Sequence, residues 1–104
     1  MNPLVSRIRH MVMIKYHRDV TGDQKQALVD GLAKMPQVME FIRRYEYGPD
    51  LRLGDNTYDF GLVADFDSEN DWRRYTSNPD HQILVHNLIR PVAEELVSIQ
   101  YEVG

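Results

Sequence analysis

The chain has 104 residues, enough for one domain over 1–104 but with only a modest core, so a second copy is the simplest way to bury more surface. With 16 acidic residues against 12 basic ones and a net charge of -4, no nucleic-acid partner is expected. Cysteine is absent, which excludes a disulfide framework and a thiolate zinc site, and no signal peptide or membrane-spanning stretch is visible, so a soluble cytoplasmic protein is the expectation.

The first element, RIRHMVMIKY over residues 7–16, reads as a strand. At a period of two, His10, Val12, Ile14 and Tyr16 share one face while Arg9, Met11, Met13 and Lys15 share the other. Both faces are apolar at the centre, so the strand is expected to be covered on both sides. Thr21 then opens a helix through a capping box with Gln24. Its apolar stripe is Ala27, Leu28, Gly31, Leu32 and Met35, and Pro36 is expected to end it. FIRRYEYG, residues 41–48, gives a second strand, followed by the polar loop GPDLRLGDNT.

In YDFGLVADF, residues 58–66, Tyr58, Phe60, Leu62, Ala64 and Phe66 alternate with Asp59, Gly61, Val63 and Asp65. Ser68 with Asp71 caps a short helix that carries Trp72 and Tyr75. After the turn SNPD a longer helix is expected over roughly residues 80–95, kinked or ended by Pro91. LVSIQYEV closes the chain as a fourth strand. The order β-α-β-β-α-β predicts an α+β, ferredoxin-like protomer with an antiparallel sheet and helices on one face. Met11, Met13 and Val63 would lie on the other face, and a homodimer joined sheet to sheet would cover them.

The stretch YTSNPDHQILVH, residues 75–86, holds the candidate site. His81, Leu84, Val85, Leu88 and Val92 recur at helical spacings, which puts His81 on the buried stripe near the helix start. His86, about 140° further round, points elsewhere. Burial and a helix N-terminus both favour a neutral imidazole, suited to a general base; a satisfied core or capping histidine fits the same pattern. Tyr75, six residues earlier across a proline turn, is placed to share a cavity with His81 and to donate to a carbonyl or enolate oxygen, or else to pack its ring at a rim. His10 faces the helices and either lines that cavity or satisfies a backbone group; His17 sits in a turn and is expected to be exposed. The four histidines and their acidic neighbours form no HxH or HExxH ligand set, and no phosphate loop, nucleophile elbow or dinucleotide fingerprint is present. Neither a metal nor an organic cofactor is expected.

IRHMVMIKY, YDFGLVADF, Tyr75-Thr-Ser-Asn-Pro79-Asp-His81 and the final QYEV together resemble the stress-responsive dimeric α/β-barrel (Dabb) family over roughly residues 7–103. The family pattern has a tyrosine and then His-Pro-x-His; Asn78 replaces the first of those histidines and His81 keeps the second. The resemblance implies a protomer whose sheet pairs with a second copy to form a central barrel, with a pocket between sheet and helices. It resembles polyketide cyclases of the olivetolic acid cyclase type, the best-described activity in the family, in which a tyrosine and a histidine promote intramolecular aldol condensation. Carried over by motif, Tyr75 is the oxyanion-side donor and His81 the general base. His10, Val12, Ile14, Phe60, Leu62, Asn78, Val85 and Leu88 would line the substrate site, with Phe60 standing where that cyclase has a histidine.

The function expected is therefore cofactor-independent, lyase-like cyclisation of a polyketide or related aromatic precursor. Two alternatives remain open: a non-catalytic dimeric barrel that binds a hydrophobic or aromatic small molecule under stress, and a cofactor-free oxygenase.

Overall fold

A computed structural model describes residues 7–104. The elements are β1 (Arg7–Tyr16), α1 (Gly22–Val38), β2 (Ile42–Pro49), β3 (Phe60–Phe66), α2 (Glu69–Ser77), α3 (Pro79–Leu84), a π-helical turn (Val85–Ile89) and β4 (Ala93–Val103). The strands form one antiparallel sheet in the order β2-β3-β1-β4. The helices cover one face of it, which gives the expected ferredoxin-like α+β arrangement.

Register decides which side chains meet. Tyr45, Ala64, His10 and Gln100 lie side by side across the four strands. The next inward row is Tyr47, Leu62, Val12 and Ser98, and beyond it Phe60 pairs with Ile14. Against these rows α1 presents Leu28, Leu32 and Met35, while Tyr75, Leu84 and Ile89 arrive from the second helical segment; all are buried. Fully burying a side chain such as Leu28 or Phe66 contributes roughly 2 kcal/mol, so this layer is the main source of stability.

The capping residues behave as their chemistry requires. Thr21 accepts from the Gln24 N–H while the Gln24 side chain accepts from the Thr21 N–H, and Ser68 accepts from the Asp71 N–H.

Three boundaries differ from expectation. α1 runs through Pro36 to Val38 instead of stopping there. Pro36 sits in the last turn, where only one backbone bond is forfeited. The Met39 N–H still bonds the Met35 carbonyl, and both methionine side chains are held in the core. The second correction is larger: the helix expected over roughly 80–95 is regular only over Pro79–Leu84. It widens into the π turn, closed by the Arg90 N–H on the Val85 carbonyl, and Pro91 follows. Residues from Ala93 onward are claimed by pairing with β1, where Tyr16 faces Ala93 and Lys15 faces Glu95. β3 also starts at Phe60 rather than Tyr58, because Asp59 turns back to bond β1: its N–H meets the Ile14 carbonyl and its carboxylate accepts from the Tyr16 N–H.

The face away from the helices carries Met11, Met13, Val63, Val97, Ile99 and Tyr101 in adjacent positions on β3, β1 and β4. Met13 on the inner strand β1 is 44% exposed and Ile99 on the edge strand β4 is 58% exposed, so the patch is open to solvent. Beside this patch Arg9 grips Asp65 with two nitrogen–oxygen contacts of 2.8 and 2.9 Å, and Asp65 is 1% exposed. That bond from Arg9 holds the Asp65 carboxyl below its ordinary range.

Candidate active site

α2 and α3 meet at Asn78, which ends one helix and caps the next. Its side chain accepts from the Asp80 N–H at 2.8 Å, and Pro79 occupies the first helical position, where its missing N–H costs nothing. This tight corner carries Tyr75 and His81 onto each other, with ring centroids 4.2 Å apart. Asn78, expected in the substrate wall, uses its Oδ1 to cap α3.

His81 is half-buried, and its Nδ1 lies 3.3 Å from the Thr76 carbonyl oxygen. A carbonyl can only accept, so Nδ1 carries the proton and Nε2 keeps its lone pair. Burial lowers the His81 pKa, and the bond to Thr76 offsets this only in part. The result is a neutral imidazole with a basic nitrogen at pH 7.

Tyr75 is 1% exposed, and its hydroxyl lies 2.7 Å from the Tyr45 hydroxyl. Burial pushes the Tyr75 phenol up to about 12, so it is a neutral donor at physiological pH. Tyr45 is pushed up as well, first by burial and then by Tyr75. Phe66 packs on the Tyr75 ring at 5.0 Å, and Tyr47 stands edge-on to Tyr45 and stacked on Phe60.

His10 completes the cluster, 6.0 Å from the Tyr75 ring and 6.1 Å from Trp72. It is 7% exposed. Burial, with a smaller contribution from His81, lowers its pKa to about 4. The Gln100 side-chain amide lies 2.9 Å from His10 Nδ1, and Trp72 Nε1–H donates to the same nitrogen at 3.3 Å.

The structure thus brings His10, Tyr75 and His81 together. Val12, Ile14, Phe60 and Leu62 form the sheet floor beneath or beside them. Val85 packs on the same core, whereas Leu88 turns toward α1 and fills the space over Gly31. Tyr45, Gln100 and the hydrogen-bonding role of Trp72 were missed in sequence. Tyr45 and Tyr47 do share a face at a period of two, a signal that was available, but their partner in α2 was not.

The clefts open away from the rings of this cluster. One of about 650 Å³ is bounded by the Pro49–Tyr58 loop and Met13. A second, of about 180 Å³, separates α1 from α3 at Gly31, Met35, Leu84 and Leu88. A third, of about 400 Å³, is lined by Ile8, Trp72, Arg73, Gln100 and Tyr101. Tyr75, His81 and His10 line none of these three, but Trp72 and Gln100, which bond His10, form a wall of the third.

Comparison with known proteins first fixes the class. The fold is that of a crystal structure described as a dimeric ferredoxin-like protein of unknown function from Thermobifida fusca YX, at 33% identity and a TM-score of 0.86 over 94% of this chain and 92% of that one. It is also the fold of a hydroxynitrile lyase from Passiflora edulis, at 15% identity and a TM-score of 0.87 over 97% and 96%. A third is a Dabb family protein with a ferredoxin-like fold from Mesorhizobium loti, at 21% identity and a TM-score of 0.77 over 92% and 95%. No curated protein matches the chain in sequence. Residues 8–103 match the Stress responsive A/B Barrel Domain, Dabb, and the chain belongs to that family. No helix among the described residues is long and apolar enough to cross a membrane.

Proposed function

We propose that the protein is a cofactor-independent acid–base enzyme that closes a ring in a polyketide-like or related aromatic precursor by intramolecular aldol condensation. The observation that carries this reading is His81, with Nδ1 bound to the Thr76 carbonyl and Nε2 left basic, against the face of the neutral Tyr75 phenol. His81 Nε2 removes a proton from a carbon flanked by two carbonyls, leaving an enolate. The enolate carbon attacks a second carbonyl of the same chain, and the oxygen that becomes negative takes a hydrogen bond and then a proton through Tyr75. The proton held on His81 returns through solvent to the Tyr75 phenolate, and the new hydroxyl leaves with a neighbouring carbon-bound proton as water, which completes the condensation. Holding both ends of one chain together supplies on the order of 7 kcal/mol at best. With the Tyr45 hydroxyl as the donor of their 2.7 Å bond, Tyr75 keeps its own hydrogen for the substrate oxygen.

The active form in this reading is a homodimer, its protomers joined through the Met13–Ile99 face. The Thermobifida relative, described as dimeric, supports it, as does the exposed apolar patch.

A second reading is a non-catalytic dimer that binds a hydrophobic molecule. It is favoured by one observation: the Tyr75 hydroxyl is already paired, inside a ring that is almost wholly covered. Turnover of a synthetic linear triketone thioester separates the two. The enzyme reading predicts turnover that His81→Ala abolishes and Tyr75→Phe lowers at least tenfold, with both variants folded. Undiminished turnover in a folded His81→Ala variant contradicts it.

A further inference from the structure

The sheet face away from the helices is uneven, and two glycines make it so. Gly48 on β2 stands opposite Gly61 on β3, and the row continues through Met13 on β1 to Val97 on β4. Tyr47, Phe60 and Leu62 point into the core, so by alternation both glycines point away from it. Neither has a positive φ, so the backbone does not call for glycine. Neither is short of room: a Cβ at Gly48 would meet nothing within 4 Å, and one at Gly61 only the Val12 carbonyl oxygen at 3.9 Å. Glycine weakens a strand interior, and two of them side by side leave a hollow that the protomer does not fill itself. Met13 and the Pro49–Tyr58 loop wall this hollow into the cleft of about 650 Å³. The matching protrusions, Val97 and Ile99, stand exposed on the opposite edge of the same face.

We infer that Gly48 and Gly61 form a socket for a second copy of this chain, filled by the partner's Val97 with the partner's Ile99 beside it. This rests on the reading of the active form as a homodimer joined through the Met13–Ile99 face. When two sheets pack face to face, a two-fold axis parallel to the strands lays each β4 across the partner's β2 and keeps the rows in step. Hollow then meets protrusion twice. The charged row of the same face, Arg44, Asp65, Arg9 and Tyr101, selects this axis as well. It sets Arg9 towards the partner's Asp65 and Arg44 towards the partner's Tyr101 hydroxyl, so each cation faces an acceptor. An axis across the strands would stack β4 on β4, lay this charged row over the apolar glycine row and leave both hollows empty.

The test is disulfide trapping in the full chain, which has no cysteine of its own. Within one protomer Gly48 and Val97 stand three strand spacings apart, roughly 14 Å, too far for a disulfide, so a bond between these positions joins two protomers. Wild type is expected to sediment as a dimer at micromolar concentration. The double variant Gly48→Cys with Val97→Cys, oxidised by copper–phenanthroline in air, should run as a covalent dimer without reductant, and neither single variant should. Gly61→Val fills the socket and should weaken the dimer about tenfold or more, and adding Val97→Ala should restore it. Cross-linking of Val97→Cys alone places β4 on β4 and overturns the inference. So does a double variant that sediments as a dimer without cross-linking, or a dimer that Gly61→Val leaves unchanged, the result expected if a small molecule fills the cleft. The homodimer reading stands in all three cases. A wild-type monomer removes the support for both.

Discussion

Acidification should weaken this fold before its carboxylates titrate, and His10 is the main reason. The folded chain holds its imidazole in a site where burial depresses the pKa to about 4, against 6.5 when exposed. Between those values the unfolded chain binds a proton that the folded chain refuses, so stability rises with pH across this window. The contribution is complete above pH 6.5 and is lost as the pH falls from there to about 4. The difference amounts to about 2 kcal/mol at pH 5 and about 3 kcal/mol below pH 4. His81, also depressed by burial, pushes in the same direction. Asp65, held down by the bond from Arg9, and Asp59, held down by the Tyr16 N–H, weaken the fold only at lower pH. Urea unfolding at pH 7 and pH 5, at one fixed protein concentration, measures the loss. His10→Gln cannot titrate and keeps a side-chain acceptor for Trp72, so its loss between the two pH values should be smaller by about 2 kcal/mol. Equal losses in the two proteins, or none in wild type, would refute the assignment.

Tyr45→Phe removes one hydroxyl and leaves that of Tyr75 buried without its 2.7 Å partner; denaturant unfolding should show a cost of about 1–2 kcal/mol. Asn78→Ala removes the cap of α3 and should cost about 1 kcal/mol. The same change loosens the corner that sets His81 on Tyr75, so it should lower turnover while His81 remains present. Ile99→Lys puts a charge at the centre of the exposed apolar face, and light scattering at micromolar concentration should then find a monomer where wild type is a dimer. In the proposed reaction the rate should fall as acid protonates His81, with a midpoint below 6.5, and hold up to pH 9, since burial carries the Tyr75 phenol to about 12. A midpoint above 6.5 would exclude His81 as the base.

The fold was legible wherever one physical rule acted locally. Alternation placed β1 and β3 on the page, and Thr21–Gln24 and Ser68–Asp71 marked two helix starts because a cap is a contact across three residues. Where local pattern and sheet pairing competed, pairing won. Residues 93–95 continue a plausible helical stripe but are drawn into β4 opposite Tyr16 and Lys15. The Tyr75–His81 contact could be anticipated because only a short proline turn separates the two residues. The rest of the cluster could not. Tyr45 meets Tyr75 across 30 residues and Gln100 meets His10 across 90, the first through packing of α2 on the sheet and the second through strand register. Asn78 shows the converse: its place in the family motif pointed to the substrate, and its side chain is taken up by the helix start.

The central claim is that the Tyr75–His81 cluster receives a small aromatic or polyketide-like molecule. Melting temperatures of wild type and His81→Ala with a panel of resorcinols and pyrones test it most directly, because a ligand that binds the native state raises its stability. At a hundredfold excess over Kd the stabilisation is about 2.7 kcal/mol, enough to move the transition of a 104-residue chain by several degrees. The account predicts such a shift in wild type and its loss in His81→Ala. An equal shift in both proteins would place the ligand elsewhere and contradict the claim.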